Sequence, residues 1–212
     1  MFGKWRTTPA QYCQAVRRYD QEIGLLEFAA PMDWMTEDHM LARTGLSALE
    51  HQKRTVANFI ELSELWDHTE SDNPFIPVLQ GTSADDYARC VELYEDSGVH
   101  LADYPLVGVG SVCRRTKASD IDVILNRLHD IDPDMPLHGF GLKGQALRRC
   151  APLLASADSQ AWAMRARYGD PLPGHTHRKC TSCLEFALRW RARFVGADFC
   201  RVHHSNRCGC TW

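Results

Sequence analysis

The sequence lacks the features that place a protein in or across a membrane. It contains no run of about 18 consecutive apolar residues, the length that a spanning helix needs. Its first residues, MFGKWRTTPAQYC, hold no apolar core of the kind found in secretory signals. Low-complexity segments and interdomain linkers are also missing. We therefore expect a globular protein of the cytoplasm with no membrane partner.

Acidic residues are scarce in the last third of the chain. Residues 143–212 hold twelve Lys and Arg against four Asp and Glu, a balance of +8, so the net charge of −3 leaves −11 for the first 142 residues. A basic region of this kind is what neutralisation of nucleic-acid phosphates requires. A solvated, arginine-rich helix face gives the same count, so charge alone leaves both interpretations open.

Cysteine, by contrast, is abundant, with nine residues, of which five lie within the last 33. That clustering favours a metal site over disulfide bonds in a reducing compartment. The other four are scattered through predicted strands and helices, where we expect buried thiols: Cys13, Cys90, Cys113 and Cys150.

Short apolar runs alternate five times with segments of helical period. The predicted strands are residues 24–30, 74–79, 106–110, 137–141 and 153–157, and the predicted helices are 8–19, 47–66, 83–97, 116–128, 142–154 and 184–193. Such alternation predicts an α/β fold with a parallel sheet. It fits a partial TIM-type (β/α) barrel with about five of the eight units, although five units also form an open sheet. We expect this partial barrel in residues 1–170 and a C-terminal Cys/His zinc-binding segment in residues 171–212.

Three polar residues, Asp33, Gln80 and Asp158, follow predicted strands. In a barrel such positions converge on one mouth, where the chemistry takes place. Asp33 and Gln80 can present hydrogen-bonding groups to the edge of a purine-like ring, and the glycine strand 108–110 offers backbone that no side chain covers. An aspartate that attacks a glycosidic carbon forms a covalent ester, and this is the role we expect for Asp158. The simpler alternatives are a helix N-cap for an aspartate after a strand and a plain turn after Gln80.

Two thiolates in a tight turn, Cys180-x-x-Cys183, lie directly after His175 and His177. Thiolate and imidazole ligands at this spacing are typical of a structural zinc site. A redox-active cysteine pair is the alternative, but thioredoxin-like surroundings are absent. No water-activating carboxylate stands beside the cluster, so we expect Zn²⁺ to hold the segment together rather than to catalyse. The candidates for a further ligand lie in the C-terminal tail: His203, His204, Cys200, Cys208 and Cys210.

Several strings together carry a resemblance to a known family. They are PFIPVLQG, LVGVGSVCRR, LHGFG, LLASADS and CLEFALRWR, with AAPMDW nearer the start. They resemble segments of the tRNA-guanine transglycosylases, and more closely those of the DpdA-type deazapurine transglycosylases, the DNA-targeting branch of bacteriophages and bacteria. The resemblance extends from Trp5 to about Arg193.

That resemblance implies roles for individual residues. Asp158 would be the nucleophile on C1′ of the sugar, while Asp33 and Gln80 would grip the purine. His177 or His175 would replace a zinc-binding cysteine of the family. The other residues of the implied base site belong to two glycine-containing strand ends, where Val109 replaces a family glycine: Gly108, Val109, Gly110, Gly139 and Gly141.

The sequence departs from the family at its N-terminus. The second catalytic aspartate of the family lies in a DSGGF-like motif on an earlier strand, and no such motif occurs here. By this comparison about three barrel strands would precede Met1. A misplaced start codon, a split gene or a decayed copy would each account for this. We expect a partner chain or a missing N-terminal region to complete an active barrel.

Our hypothesis is a transglycosylase that exchanges guanine in DNA for 7-cyano-7-deazaguanine, a 7-deazapurine base, through a covalent aspartyl–sugar intermediate. The target base would be flipped out or single-stranded, and Arg189, Arg191 and Arg193 would contact phosphates. If a bacteriophage encodes the protein, it would act in the cytoplasm of the bacterial host. One alternative is a tRNA-guanine (queuine-type) transglycosylase with the same chemistry on tRNA. The other is a non-catalytic, zinc-containing nucleic-acid-binding fragment or subunit.

Overall fold

The computed structural model describes residues 5–66, 72–113, 115, 117–142 and 144–193. Its helices are α1 (Pro9–Ile23), α2 (Asp38–Thr44), α3 (Ala48–Leu65), α4 (Ala84–Asp96), α5 (Ala118–Ile131), α6 (Gly144–Cys150), α7 (Ala161–Tyr168) and α8 (Leu184–Ala192). Its strands are β1 (Val78–Leu79), β2 (Val107–Val109), β3 (Leu137–Gly139) and β4 (Ser156–Ala157). None of the described helices is both long and apolar enough to cross a bilayer.

The four strands form one parallel sheet in the order β1, β2, β3, β4. A helix follows each strand, with α4 packed against α5 and α5 against α6. Because parallel neighbours need such crossover connections, the predicted α/β fold with a parallel sheet is confirmed. Within the described residues the sheet is open and does not close on itself, so the barrel remains a prediction.

Residues 24–30 do not form the predicted strand. Only Ala29 pairs, in an isolated parallel bridge with Phe75, just before β1. Leu25 has a φ of +58° and a fully exposed side chain, which a continuous extended strand does not allow. Residues 24–30 therefore pair with the chain before β1 at Ala29 alone.

The other predicted elements are present, but their lengths differ. The four strands are two or three residues long, shorter than the apolar runs that predicted them. The predicted helix 142–154 ends at Cys150, because Pro152 in the following 3₁₀ turn cannot continue the helical hydrogen bonding. The structure adds α2 and α7, which the sequence analysis did not predict.

The core lies where the helices pack on the sheet. Phe59 of α3 contacts Tyr94 edge to face, with ring centroids 5.6 Å apart. Three scattered cysteines are buried in the described structure as predicted: Cys13, Cys90 and Cys150. The prediction was wrong for Cys113, which is half-exposed because it lies in the loop after β2, where its Sγ donates to Glu37 Oε1 at 3.4 Å.

The register of the sheet sorts its residues into layers. The aligned neighbours across the four strands are Val78, Gly108, His138 and Ser156. Since strand side chains alternate between faces, the residues two positions further on share the same face in the next layer. The ladder extends that far, because Gly110 N donates to Leu79 O at 2.9 Å and Asp158 N donates to Gly139 O at 3.4 Å. That next layer, at the carboxyl ends of the strands, consists of Gln80, Gly110, Phe140 and Asp158.

Tyr94 of α4 satisfies the outer edge of β1. Val78 N donates to the Tyr94 hydroxyl, and that hydroxyl donates to Val78 O, both at 3.1 Å. The pairing with β2 uses a different group, because Gly108 N donates to Pro77 O. Unpaired backbone at a sheet edge is prone to non-native pairing, so the buried tyrosine protects this edge.

We predict that Tyr94→Phe lowers the free energy of unfolding by about 1–3 kcal/mol, because two buried backbone groups lose their partner. Urea unfolding followed by far-UV circular dichroism measures the change. Tyr19→Phe on α1, where the side chain is exposed, is the matched control and should stay within about 0.5 kcal/mol of wild type. Equal stability of Tyr94→Phe and wild type would contradict this role of the hydroxyl.

Candidate active site and metal centre

A chain of hydrogen bonds joins the ends of β1 and β2 to the loop that contains Asp33. Ser111 Oγ accepts from Thr36 N at 2.9 Å and donates to Gln80 Oε1 at 2.5 Å. Gln80 Nε2 in turn donates to Asp33 Oδ2 at 2.5 Å. The amide of Gln80 is thereby oriented with its nitrogen toward the carboxylate. The two residues predicted to grip a purine are in direct contact.

Gln80 is fully buried, and two neighbours hold it in place. Gln52 of α3 donates from Nε2 to Gln80 O at 2.6 Å and to Asp86 O at 2.7 Å, which ties α3 and α4 to the end of β1. Gly110 leaves the space that the Gln80 amide fills, because a Cβ there would lie 2.2 Å from Nε2. This close approach requires glycine at position 110.

Asp33 has a strongly perturbed carboxylate. Burial raises its pKa from 3.8 to about 6, while its own N–H and the Gln80 amide oppose the rise and Glu37 adds to it. The carboxylate is therefore mainly ionised at neutral pH and protonated only in mild acid. In the ionised state it can accept hydrogen bonds from the N–H groups at the edge of a guanine-type ring.

Asp158 follows β4 and is half-exposed, with two donors facing the same carboxylate oxygen. Gly141 N donates to Oδ1 at 2.7 Å, and His138 Nε2 lies 3.7 Å from that atom. The imidazole is the main cause of a lowered pKa of Asp158; partial burial opposes it and the Gly141 N–H adds to it. The carboxylate is ionised at neutral pH, as attack by a carboxylate oxygen requires.

Asp158 and Gln80 lie on the same rim of the sheet but on its two outer strands. Three strand spacings separate them, roughly 14 Å along a flat sheet. Phe28, next to the residue that bridges to the chain before β1, contacts His138 on β3, with ring centroids 5.5 Å apart. Between the two ends lies Phe140, whose ring packs over Gly108 and against His138.

The glycines expected to expose backbone divide into two groups. Gly108 and Gly139 are buried beneath side chains of the chain itself, since a Cβ on either would come within 2.5 Å of a neighbouring carbon. Val109 is also fully buried. Gly110 is equally buried, beneath the Gln80 amide, whereas Gly141 is partly exposed beside the Asp158 carboxylate and has the positive φ of +64° that favours glycine.

A cavity of about 440 Å³ lies next to this rim. Ser111 belongs to its lining, so the cavity adjoins the hydrogen-bond chain described above. Its lining also includes the guanidinium of Arg115, which donates to Gly81 O at 3.2 Å, and the carboxylates of Glu37 and Asp120. The volume suits a small molecule, and the lining contains both donors and acceptors.

Four predicted metal ligands come together in the segment before α8. The donor atoms of His175, His177, Cys180 and Cys183 all lie within 4.8 Å of one another. Four of the pairwise distances are 3.0, 3.2, 3.6 and 4.0 Å. Bond lengths of about 2.3 Å to sulfur and 2.0–2.1 Å to nitrogen in a tetrahedral zinc site put ligand atoms roughly 3.3–3.8 Å apart, so this group fits such an ion.

Further contacts orient these ligands. Glu185 Oε2 accepts from His175 Nε2 at 2.8 Å, which leaves Nδ1 facing the cysteines. A carboxylate behind a histidine is the usual support of a metal-binding imidazole. Cys183 Sγ accepts from Phe186 N at 3.5 Å and so caps the first turn of α8. His203 and the other tail candidates lie outside the described residues.

The three arginines proposed as phosphate contacts are exposed on or just after α8. Arg189 forms an ion pair with Glu185 at 2.5 Å, so it also supports the carboxylate behind His175. Arg193 O accepts from Arg148 Nη2 at 2.6 Å. Arg191 lies between them at the end of the helix.

Two residues at the rim were missed by the sequence analysis. Ser111 has a φ of +54° and connects Gln80 to Thr36, and His138 faces Asp158. The string LVGVGS did contain the signal for Ser111, because a polar residue directly after a buried strand lies on the same rim as Gln80. His138 gave no signal, because a histidine inside a short apolar run is equally common in a core.

Comparison with protein families gives a match over the whole chain. The model of the family described as DpdA, DeoxyPurine in DNA protein A, matches residues 1–212. No curated protein matches the sequence.

We predict that the stability of the protein falls as pH rises through about 6, because of Asp33. Its pKa is higher in the folded than in the unfolded state, so its contribution is fully present below the unfolded pKa and is lost above the folded one. Asp33→Asn, which does not ionise, should remove this dependence and be more stable than wild type at neutral pH. Urea unfolding at several pH values measures it.

The matched control is Asp130→Asn, at an exposed position on α5, which should keep the wild-type pH dependence. An unchanged pH dependence in Asp33→Asn would contradict the raised pKa of Asp33.

Proposed function

Because this chain belongs to the DpdA family, DeoxyPurine in DNA protein A, we propose that it exchanges guanine in DNA for a 7-deazaguanine base. The family supports a guanine transglycosylase-like, DNA-modifying function. The observation that carries the proposal is the shared layer of Gln80 and Asp158 at the carboxyl ends of parallel strands, with Asp33 bonded to Gln80. That layer combines groups for a purine edge with an ionised nucleophile on one rim.

The reaction divides into two displacements at C1′ of the deoxyribose. In the first, a carboxylate oxygen of Asp158 forms an ester bond to C1′ while the C1′–N9 bond breaks and its electron pair leaves with guanine. In the second, N9 of the incoming base attacks C1′, and the electron pair of the ester bond returns to Asp158. The proton lost from N9 of the incoming base balances the proton gained by guanine, so no redox partner is needed.

Recognition of the base is assigned to Asp33 and Gln80. An ionised Asp33 accepts from the N–H groups of guanine or 7-deazaguanine. The Gln80 amide can donate to an acceptor of the base or accept from one of its N–H groups. Gly141 supplies adjacent backbone. The incoming base is 7-cyano-7-deazaguanine in this proposal, with the cavity beside Ser111 as the space for its substituent. The Arg115 guanidinium in that cavity offers a donor to the nitrile, which only accepts hydrogen bonds.

DNA binding is assigned to the exposed arginines of α8, Arg189, Arg191 and Arg193, through their charge. A base paired in a duplex cannot reach a rim of this kind, so the target is a flipped or single-stranded guanine. A partner chain or an N-terminal region would supply the remaining strands and a second carboxylate.

We further propose that the segment 171–212 carries one structural Zn²⁺ appended to the partial barrel of residues 1–170. His175, His177, Cys180 and Cys183 are sufficient for a tetrahedral site without the tail. A zinc ion held by these four residues would fix residues 175–183 against the start of α8 and would supply no chemistry to the base exchange.

We predict that wild-type protein forms a covalent adduct with guanine-containing DNA and that Asp158→Asn abolishes it, because an amide oxygen is a far weaker nucleophile. Denaturing gels and intact-mass spectrometry detect the adduct, and incubation with radiolabelled guanine measures exchange. Asp170→Asn, at an exposed position after α7, is the matched control and should react as wild type does. An adduct that persists in Asp158→Asn would exclude Asp158 as the nucleophile.

The same assay separates the proposal from its alternatives. Exchange into DNA but not into tRNA supports it, whereas exchange only into tRNA identifies a queuine-type enzyme. Binding of DNA without exchange, even when strands from a partner chain are supplied, would identify a non-catalytic nucleic-acid-binding subunit.

We predict about one zinc per chain by elemental mass spectrometry, since four ligands of one segment suffice for a closed site. Cys183→Ser should lose the metal and lower the melting temperature, because metal binding contributes to the folding free energy. His203→Ala, in the tail, should retain it. Loss of zinc in His203→Ala would show that the tail supplies a ligand and would contradict the proposed set.

A further inference from the structure

The nucleophile proposed above has an asymmetric environment. Two contacts from other residues reach the Asp158 carboxylate, one from Gly141 N and one from His138 Nε2, and both fall on Oδ1. The backbone N–H of Asp158 itself also acts on the carboxylate, and no other described residue donates to Oδ2. Two donors on one oxygen determine the plane of the carboxylate and leave the other oxygen unoccupied. Oδ2 is therefore the atom available to form a bond to C1′.

His138 is held more rigidly than the carboxylate it faces. Its side chain is almost completely buried on β3, whereas that of Asp158 is 56% exposed. The ring packs edge to face against Phe140, with centroids 4.7 Å apart, and against Phe28 on its other side at 5.5 Å. A ring confined by two aromatic side chains has little freedom to rotate, so it can serve as a fixed reference for Asp158.

Ser156 contacts the nitrogen of His138 that does not face Asp158. His138 Nδ1 lies 2.7 Å from Ser156 Oγ, and the two residues are direct neighbours in the sheet register. A hydroxyl that donates to Nδ1 leaves the proton of the neutral imidazole on Nε2, the nitrogen that faces Asp158. The contacts from Ser156 to His138 and from His138 to Asp158 thus direct the N–H of Nε2 toward Oδ1.

We propose that His138 is a positioning residue for the nucleophile, holding Asp158 Oδ1 so that Oδ2 points to the sugar carbon. This inference rests on the proposed function. The present separation of 3.7 Å is longer than a hydrogen bond, and a small rotation of the exposed carboxylate shortens it. Contacts of this kind often tighten only when the substrate is bound. The lowered pKa of Asp158, to which the imidazole contributes most, is consistent with this contact.

The test uses the full chain and compares His138→Ala, His138→Gln and Ser156→Ala with wild type. Loss of one hydrogen bond to a charged group predicts that His138→Ala slows adduct formation by roughly 10- to 100-fold. The Gln side chain places an amide N–H near the position of Nε2, so His138→Gln should recover most of the rate. The rate of adduct formation by Ser156→Ala should lie between the rates of wild type and His138→Ala. His129→Ala, at an exposed position on α5, is the matched control.

A pH profile separates positioning from packing. Asp158 must be ionised to attack, and the contact with the His138 imidazole is the largest cause of its lowered pKa. Without the imidazole the acid limb of adduct formation should move to higher pH, and His138→Gln should lie closer to wild type. A wild-type rate and profile in His138→Ala would overturn the proposal. Equal loss in His138→Ala and His138→Gln, with no shift of the acid limb, would show a packing role only and would also overturn it.

The amide resonance of Gly141 gives a readout that does not need activity. This N–H donates to Asp158 Oδ1, so its chemical shift follows the ionisation of that carboxylate. Its titration midpoint should rise in His138→Ala and stay unchanged in His129→Ala. Absence of an adduct in wild type, also when strands from a partner chain are supplied, would refute the proposed function, and the Gly141 titration would still decide the contact. An unchanged midpoint in His138→Ala would overturn the inference.

Discussion

The parallel register of the four strands is the constraint on which the rest of the structure depends. It aligns Val78, Gly108, His138 and Ser156, and therefore places Gln80 and Asp158 in one layer two residues further on. A shift of one residue in either outer strand would turn its functional side chain to the opposite face. The site is thus a product of backbone pairing, and the helices serve it by holding the strands in this register.

Within that layer, side chains of different character do different work. The buried Gln80 is immobilised by Ser111, Gln52 and the absence of a side chain at Gly110, which suits a group that must recognise one base edge. Asp158 is half-exposed and accepts from Gly141 N at Oδ1, which suits its proposed role as nucleophile. The two carboxyl groups of the site also differ in pKa. Burial raises the pKa of Asp33 beside Gln80, and the imidazole of His138 lowers the pKa of Asp158.

The sequence predicted the fold class and the rim positions, because alternating apolar runs and polar residues at their ends follow from local pattern. It failed for residues 24–30, where an apolar composition hid the positive φ of Leu25, and for the helix that ends at Cys150. Spacing alone identified the four candidate metal ligands, because all of them lie within nine residues: His175, His177, Cys180 and Cys183. The contact between His138 and Asp158 was beyond prediction, because it depends on strand register and on the ring of Phe28, which is distant in sequence.

We propose that a purine binds on this rim with its edge toward Asp33 and Gln80 and its sugar-bearing nitrogen toward Asp158. A crystal structure of the protein with 7-cyano-7-deazaguanine tests it most directly. We predict that the purine ring lies beside Phe140, with hydrogen bonds to the Asp33 carboxylate and the Gln80 amide and with N9 directed to Asp158 Oδ2. A base bound at another surface, or bound here with N9 directed away from Asp158, would contradict it.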